Sequence, residues 1–152
     1  MKILQKIGAQ LAHHLSRPRR GNTKIATSSP EKLSGCLRPG DVLLVEGNST
    51  FSTAIKYLTQ SSWSHAALYV GDALPAVKDG EEQPLLVEAD INDGVRSVGL
   101  PFYSPFHTRI CRPIGLTQDE ITKVINFVVA RLGYKYDLRN IIDNQTNARI
   151  WI

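Results

Sequence analysis

The apolar residues of this chain change period several times, and each change marks an element. Ile3, Ile7, Leu11 and Leu15 recur every four positions with Leu4 beside them, which predicts an amphipathic helix ending near Arg17-Pro18. Residues 21–35, rich in Ser, Thr, Asn and Gly, read as a linker. The turn Leu37-Arg38-Pro39-Gly40-Asp41 launches a first strand over 42–46. Asn48 or Ser49 then caps a helix with Phe51, Ala54, Ile55 and Leu58 on one face. Strict alternation returns over 64–70: His65, Ala67 and Tyr69 point one way, Ala66, Leu68 and Val70 the other, and Gly71-Asp72 turns the chain.

Strand patterns recur at 85–89 and 95–98, followed by a proline-punctuated loop over 101–105 and an edge strand over 108–112 that stops at Pro113. Thr117-Gln118-Asp119-Glu120 is a capping box. It opens a helix whose stripe is Ile121, Val124, Ile125, Val128, Val129 and Leu132, closed by Gly133. The turn Tyr134-Lys135-Tyr136-Asp137, a short apolar segment around Leu138, Ile141 and Ile142, and the apolar end Ile150-Trp151-Ile152 complete the chain.

Two residues interrupt this pattern in a chemically informative way. His65 stands at the mouth of a short strand, where it serves either as a strand-end hydrogen-bonding group or as a general base. Glu88 sits inside an otherwise apolar strand, on the side shared with Leu86. It is either solvated at an exposed face or buried against a partner, because an unpaired buried charge costs several kcal/mol on the order given for buried ions. If the two strands pair, both side chains project from one sheet face and the partner is His65.

Composition adds limits. The 152 residues, 42% of them hydrophobic, suit a single core. Charge is uneven: Lys2, Lys6, Arg17, Arg19, Arg20 and Lys24 stand in residues 1–24 without an acid, and the other basic residues are fewer than the 14 acidic ones. That basic segment is either an interfacial helix on anionic lipid or a helix docked on its own domain; without interleaved aromatics, nucleic acid is not expected. The sequence is read as lacking a secretory signal and a transmembrane run, so a cytoplasmic protein, peripheral to a membrane at most, is expected. Cys36 and Cys111 form no disulfide framework, and with His13, His14, His65 and His107 they form no metal-ligand spacing, so no cofactor or metal is expected.

Four stretches together resemble the circularly permuted papain-fold cysteine hydrolases, in particular the YiiX/YebB-like branch of NlpC-type amidases, distant relatives of lecithin retinol acyltransferase. They are residues 37–44 (Leu-Arg-Pro-Gly-Asp-Val-Leu-Leu), 59–72 around Trp63-Ser64-His65, Val87-Glu88-Ala89, and Gly133-Tyr134-Lys135-Tyr136-Asp137. The resemblance implies an α+β fold, an antiparallel sheet or half-barrel packed with helices, over residues 36–152, with residues 1–35 as basic helix and linker. It implies hydrolysis of an amide or ester in a peptide, cell-wall fragment or lipid, with His65 as catalytic histidine and Glu88 orienting it. Asp41, Ser64, Tyr134 and Tyr136 are the further candidates for the substrate site.

The chemistry needs a thiolate, a histidine to take its proton and a third group to hold the histidine. In the resembled family the cysteine follows the Tyr-Asp turn, and here no cysteine follows Asp137. The expectation is therefore a C-terminally incomplete hydrolase domain without its nucleophile, inactive unless Cys36 or Cys111 substitutes. The alternative is a non-catalytic lipid- or peptide-binding module. Without the cysteine-bearing helix, the sheet face carrying Ala67 and Tyr69 is expected to be partly bare, or covered by the N-terminal helix or by residues 150–152.

Overall fold

The computed structural model describes residues 28–78 and 82–135. The sequence-predicted helix over residues 3–15, the apolar segment after Asp137 and Tyr136 lie outside them. The elements run α1 (Pro30–Cys36), β1 (Val42–Glu46), α2 (Thr50–Thr59), β2 (His65–Tyr69), β3 (Leu86–Asp90), β4 (Gly94–Val98), β5 (His107–Cys111) and α3 (Gln118–Val129). The strands form one five-stranded antiparallel sheet in the order β4-β3-β2-β1-β5, an α+β architecture.

Register fixes which residues share a face. Val45 lies opposite His65 and Leu43 opposite Ala67. Ala67 in turn lies opposite Glu88, and Tyr69 opposite Leu86. Glu88 then faces Arg96 across the β3–β4 hairpin. Because side chains alternate strictly along a strand, Leu43, Val45, His65, Ala67, Tyr69, Leu86, Glu88, Arg96 and Val98 all stand on one face.

That face is covered by two pieces that the hydrophobic pattern did not announce. Residues 30–36, expected as linker, form α1: Ser29 caps it by accepting from the Lys32 N–H at 3.4 Å, and Pro30 occupies the first turn, where its missing N–H is harmless. Leu33 is the one residue α1 buries. A seven-residue helix with a single buried position has no period to read. The loop expected over 101–105 begins as a 3-10 turn, Leu100–Tyr103, that buries Leu100 and Tyr103. With Leu37, Leu43, Val45, Ala67 and Leu86 these residues make a core, so the expected bare face is corrected: α1 and the 3-10 turn enclose Ala67, and Tyr69 is half-buried against them. Removing all but Cβ from a fully buried leucine such as Leu43 or Leu86 costs on the order of 2–5 kcal/mol.

The opposite face packs α3. Its Ile125 is buried with Val70, Leu74 and Val87, and Ile121, Val128, Val129 and Leu132 pack around them. The capping box forms as the sequence predicts, with Thr117 accepting from the Glu120 N–H and Glu120 from the Thr117 N–H. Val124, counted in the expected stripe, is exposed, as are Ala54 and Leu58 of α2. Cover is incomplete here: Ala66 and Ala89 are exposed beside Val42, Leu68, Val95, Val128 and Arg131, which line an apolar groove of about 350 Å³.

Asp41, before β1, is buried, and its carboxylate accepts from the Arg38 N–H at 2.8 Å and from Arg112 Nε and a terminal nitrogen at 2.9 and 2.7 Å. Arg112 also donates to the Cys36 carbonyl at 2.9 Å, so one carboxylate ties β5, α1 and the entry to β1 together. Burial pushes the Asp41 carboxyl up, but Arg112 and the Arg38 N–H outweigh it and hold it below the usual range. Asp41→Ala should lower unfolding free energy by about 2–3 kcal/mol, because a backbone donor and a guanidinium lose their acceptor. The urea midpoint against wild type checks this, and a change below about 0.5 kcal/mol refutes the structural role.

Candidate active site

β2 delivers His65 to the edge of the covered face, and β3 delivers Glu88 beside it. Their separation is 2.5 Å between Nε2 and Oε2. The carboxylate is enclosed, at 4% exposure, while the imidazole remains about a third exposed at the cleft mouth. Tyr103, from the 3-10 turn, donates its hydroxyl to the same oxygen as His65. Arg96 brings Nε and a terminal nitrogen to Oε1, both at 2.7 Å. Every donor around the acid therefore favours its charged form.

Burial alone would raise the Glu88 pKa, but the hydrogen bonds from His65, Tyr103 and Arg96, with the attraction of His65, outweigh it and bring it down to about 2. Tyr103 moves the other way: burial, then the adjacent negative charge, push its hydroxyl well above the usual tyrosine value, so it remains a donor. An ionised carboxylate only accepts, hence the proton between Glu88 and His65 belongs to Nε2. Neutral His65 is then the Nε2–H tautomer with its lone pair on Nδ1, which makes no hydrogen bond to a described residue. That arrangement is an imidazole held by an ionised carboxylate.

The cleft beside it has a volume of about 300 Å³. Phe51, Ser52 and Ile55 of α2 form one wall, Phe102, Tyr103 and Phe106 another, and Gly47, Ser64, His65, Glu88 and Arg96 also line it. Ser64 Oγ accepts from the Gly47 N–H at 2.9 Å, which anchors the entry to β2 onto the end of β1. A Cβ at Gly47 would collide with the hydroxyls of Ser52 and Ser64, so the glycine lets α2 and β2 close on one another.

Of the candidates read from sequence, His65, Glu88 and Ser64 come together on this cleft. Asp41 does not: it lies at the other end of β1, four residues before Val45 and so about 13 Å along the strand. Tyr134 is 62% exposed, and its backbone carbonyl accepts from the Val95 N–H at 2.8 Å, extending the β4 edge. Neither sulfur lies on the cleft. Cys36 ends α1 beside Arg112, and Cys111 lies opposite Val42, on the face that packs α3. His107 sits on that same face, where its Nδ1 is 3.0 Å from Glu46, Lys56 is 3.1 Å from the same carboxylate, and the Trp63 ring lies against the imidazole. Arg96 and Tyr103 were not identified from the sequence. The Arg96 contact was legible, since the loop Ile91-Asn92-Asp93 closing at Gly94 sets the hairpin register; the Tyr103 contact crosses the fold and left no local trace.

A family model described as permuted papain-like amidase enzyme, YaeF/YiiX, C92 family, matches residues 36–147. The chain belongs to this amidase family. The match spans the whole sheet, α2 and α3, and thus the His65–Glu88 pair. Membership of a permuted papain-like amidase family carries an amidase-like, hydrolytic function and, at that coarse level, an amide-bearing substrate. A comparison with curated proteins finds no match to the chain.

The lowered pKa of Glu88 makes stability depend on pH. With a folded value of about 2 and an unfolded value near the ordinary 4.5, folding favours the ionised form. The contribution, about 3 kcal/mol, is complete above the unfolded value and disappears as pH falls through the folded one. From pH 6 to pH 3 wild type should therefore lose about 2 kcal/mol more than Glu88→Gln. Urea unfolding of both chains at the two pH values measures the difference, and parallel losses would show that the carboxylate carries no such linkage.

Proposed function

We propose that the chain carries the base and orienting acid of a cysteine-type amide hydrolase and holds an amide or ester carbonyl in the cleft beside His65. The observation that carries this reading is the 2.5 Å contact between His65 Nε2 and an ionised, enclosed Glu88, which leaves Nδ1 as the accepting nitrogen. In this chemistry Nδ1 takes the proton of a thiol and the thiolate adds to the carbonyl carbon. The carbon–nitrogen bond breaks as His65 returns the proton to the departing amine, and water activated in the same way hydrolyses the thioester. Glu88 stabilises the imidazolium between the two transfers. Ser64 braces the strand that holds the base. No cofactor is needed, and the substrate is a peptide, a cell-wall fragment or a lipid.

The thiol has no counterpart on the cleft among the described residues, which supports a second reading. In it the cleft binds a lipid or peptide without turnover, and the six cations of residues 1–24 hold the chain to an anionic membrane surface. No helix among the described residues is long and apolar enough to cross a membrane, and this reading makes the protein cytoplasmic and peripheral.

Turnover of acyl-amide and acyl-ester substrates, with thiol-directed acyl probes on the full chain, separates the two. The hydrolase reading requires Cys36 or Cys111 to be brought to the cleft, and expects turnover and labelling that fall at least about 100-fold in His65→Ala and are abolished in Cys36→Ser or Cys111→Ser. Absent turnover, together with liposome or peptide association that His65→Ala leaves intact, overturns it in favour of the binding module.

A further inference from the structure

We infer that Arg96, helped by Tyr103, is the positioning residue of the His65–Glu88 pair: it takes one oxygen of the enclosed carboxylate and so keeps the other turned onto the imidazole. This builds on the proposed role of His65 as base but assigns a residue and a device that the proposed reaction does not specify.

The geometry is that of a clamp. Arg96 stands directly across the hairpin from Glu88, so a short reach along a rigid strand pair brings its fork to Oε1. The guanidinium is itself fixed from behind. Its other terminal nitrogen is 2.5 Å from Asp93, Asp90 lies 3.9 Å from the nitrogen that also serves Glu88, and the Phe102 ring lies 5.2 Å from its carbon. Asp90 also accepts from the Asn92 and Asp93 N–H groups, which holds the turn that carries the counter-ions. The groups facing Glu88 are thus His65, Tyr103 and Arg96, with Asp90 and Asp93 behind the arginine.

Removing the clamp has a definite chemical consequence. An enclosed carboxylate that loses its fixed cation moves towards protonation. With Oε1 unheld, the carboxylate turns, Nε2–H loses its fixed acceptor and the ring proton moves in part to Nδ1. The lone pair then faces the acid, and the nitrogen at the cleft can no longer receive a proton. Arg96 thereby keeps the ring in the tautomer that a base requires. Sharing its charge among three carboxylates leaves Glu88 anionic enough to stabilise an imidazolium.

The test is spectroscopic and needs no turnover, so absence of amide hydrolysis would defeat the hydrolase reading without deciding this one. In the full chain, long-range proton–nitrogen spectra of His65, assigned with His65→Gln, report the tautomer, and the Glu88 carboxyl carbon reports its titration. Wild type should show one Nε2–H form. Arg96→Met should raise the Glu88 midpoint by about one pH unit or more and bring in the Nδ1–H form, whereas Arg96→Lys, which keeps a charge, should stay within about half a unit of wild type. A folded Arg96→Met chain with the wild-type midpoint and tautomer overturns the inference. If Arg96→Met does not fold at neutral pH, the double variant Glu88→Gln/Arg96→Met, with neither charge, should fold again. Its failure to do so would make Arg96 a packing residue and overturn the inference equally.

Discussion

A carboxylate with almost no access to water is the constraint around which this structure is arranged. Glu88 lies on β3, one strand in from the sheet edge, on a covered face built mainly of apolar side chains, and three elements send it donors: β2 through His65, β4 through Arg96 and the 3-10 turn through Tyr103. Taking such a charge out of water is tolerable only where its lone pairs are filled. The core cluster that holds Leu86, Ala67, Leu100 and Tyr103 therefore also carries the strand pair that sets Glu88 beside His65. Packing and chemistry share the same side chains.

The second buried acid makes an instructive contrast. Asp41 is as enclosed as Glu88, and its Arg112 fork is as short. Yet among the described residues its partners are a backbone N–H and an arginine that also binds the Cys36 carbonyl, and no histidine shares its oxygens. A histidine within hydrogen-bond reach, itself on the wall of a cleft, separates the surroundings of Glu88 from those of an acid that closes a turn. The match to the permuted papain-like amidase family includes the His65–Glu88 pair, while Cys36 and Cys111 stand on other parts of the fold.

Much of the fold was legible because it is local. The capping box at Thr117, the alternation through His65 and the turn at Gly71 are set by neighbours a few residues apart, and each formed where the pattern placed it. The pattern failed where an element is short and its cover comes from elsewhere. α1 buries only Leu33, the 3-10 turn buries Leu100 and Tyr103, and neither is long enough to display a period, so the face they cover was expected to lie partly bare, or under the N-terminal helix or residues 150–152. Val124 and Leu58 failed for the converse reason, since a side chain on the apolar arc of a helix is buried only if another layer meets it.

By itself the sequence determined the side of its strand on which each of His65 and Glu88 lies, because alternation along an extended chain needs nothing beyond the backbone. Only the tertiary structure decided that β3 pairs with β2 in the register that sets Ala67 against Glu88, and that Tyr103 and Arg96 complete the shell of the carboxylate. It also decided that Asp41 and Cys111 stand away from the cleft, one at the far end of β1 and the other on the opposite face. Those are choices of pairing and of layer, governed by which distant surfaces meet to exclude water, and no window of adjacent residues contains them.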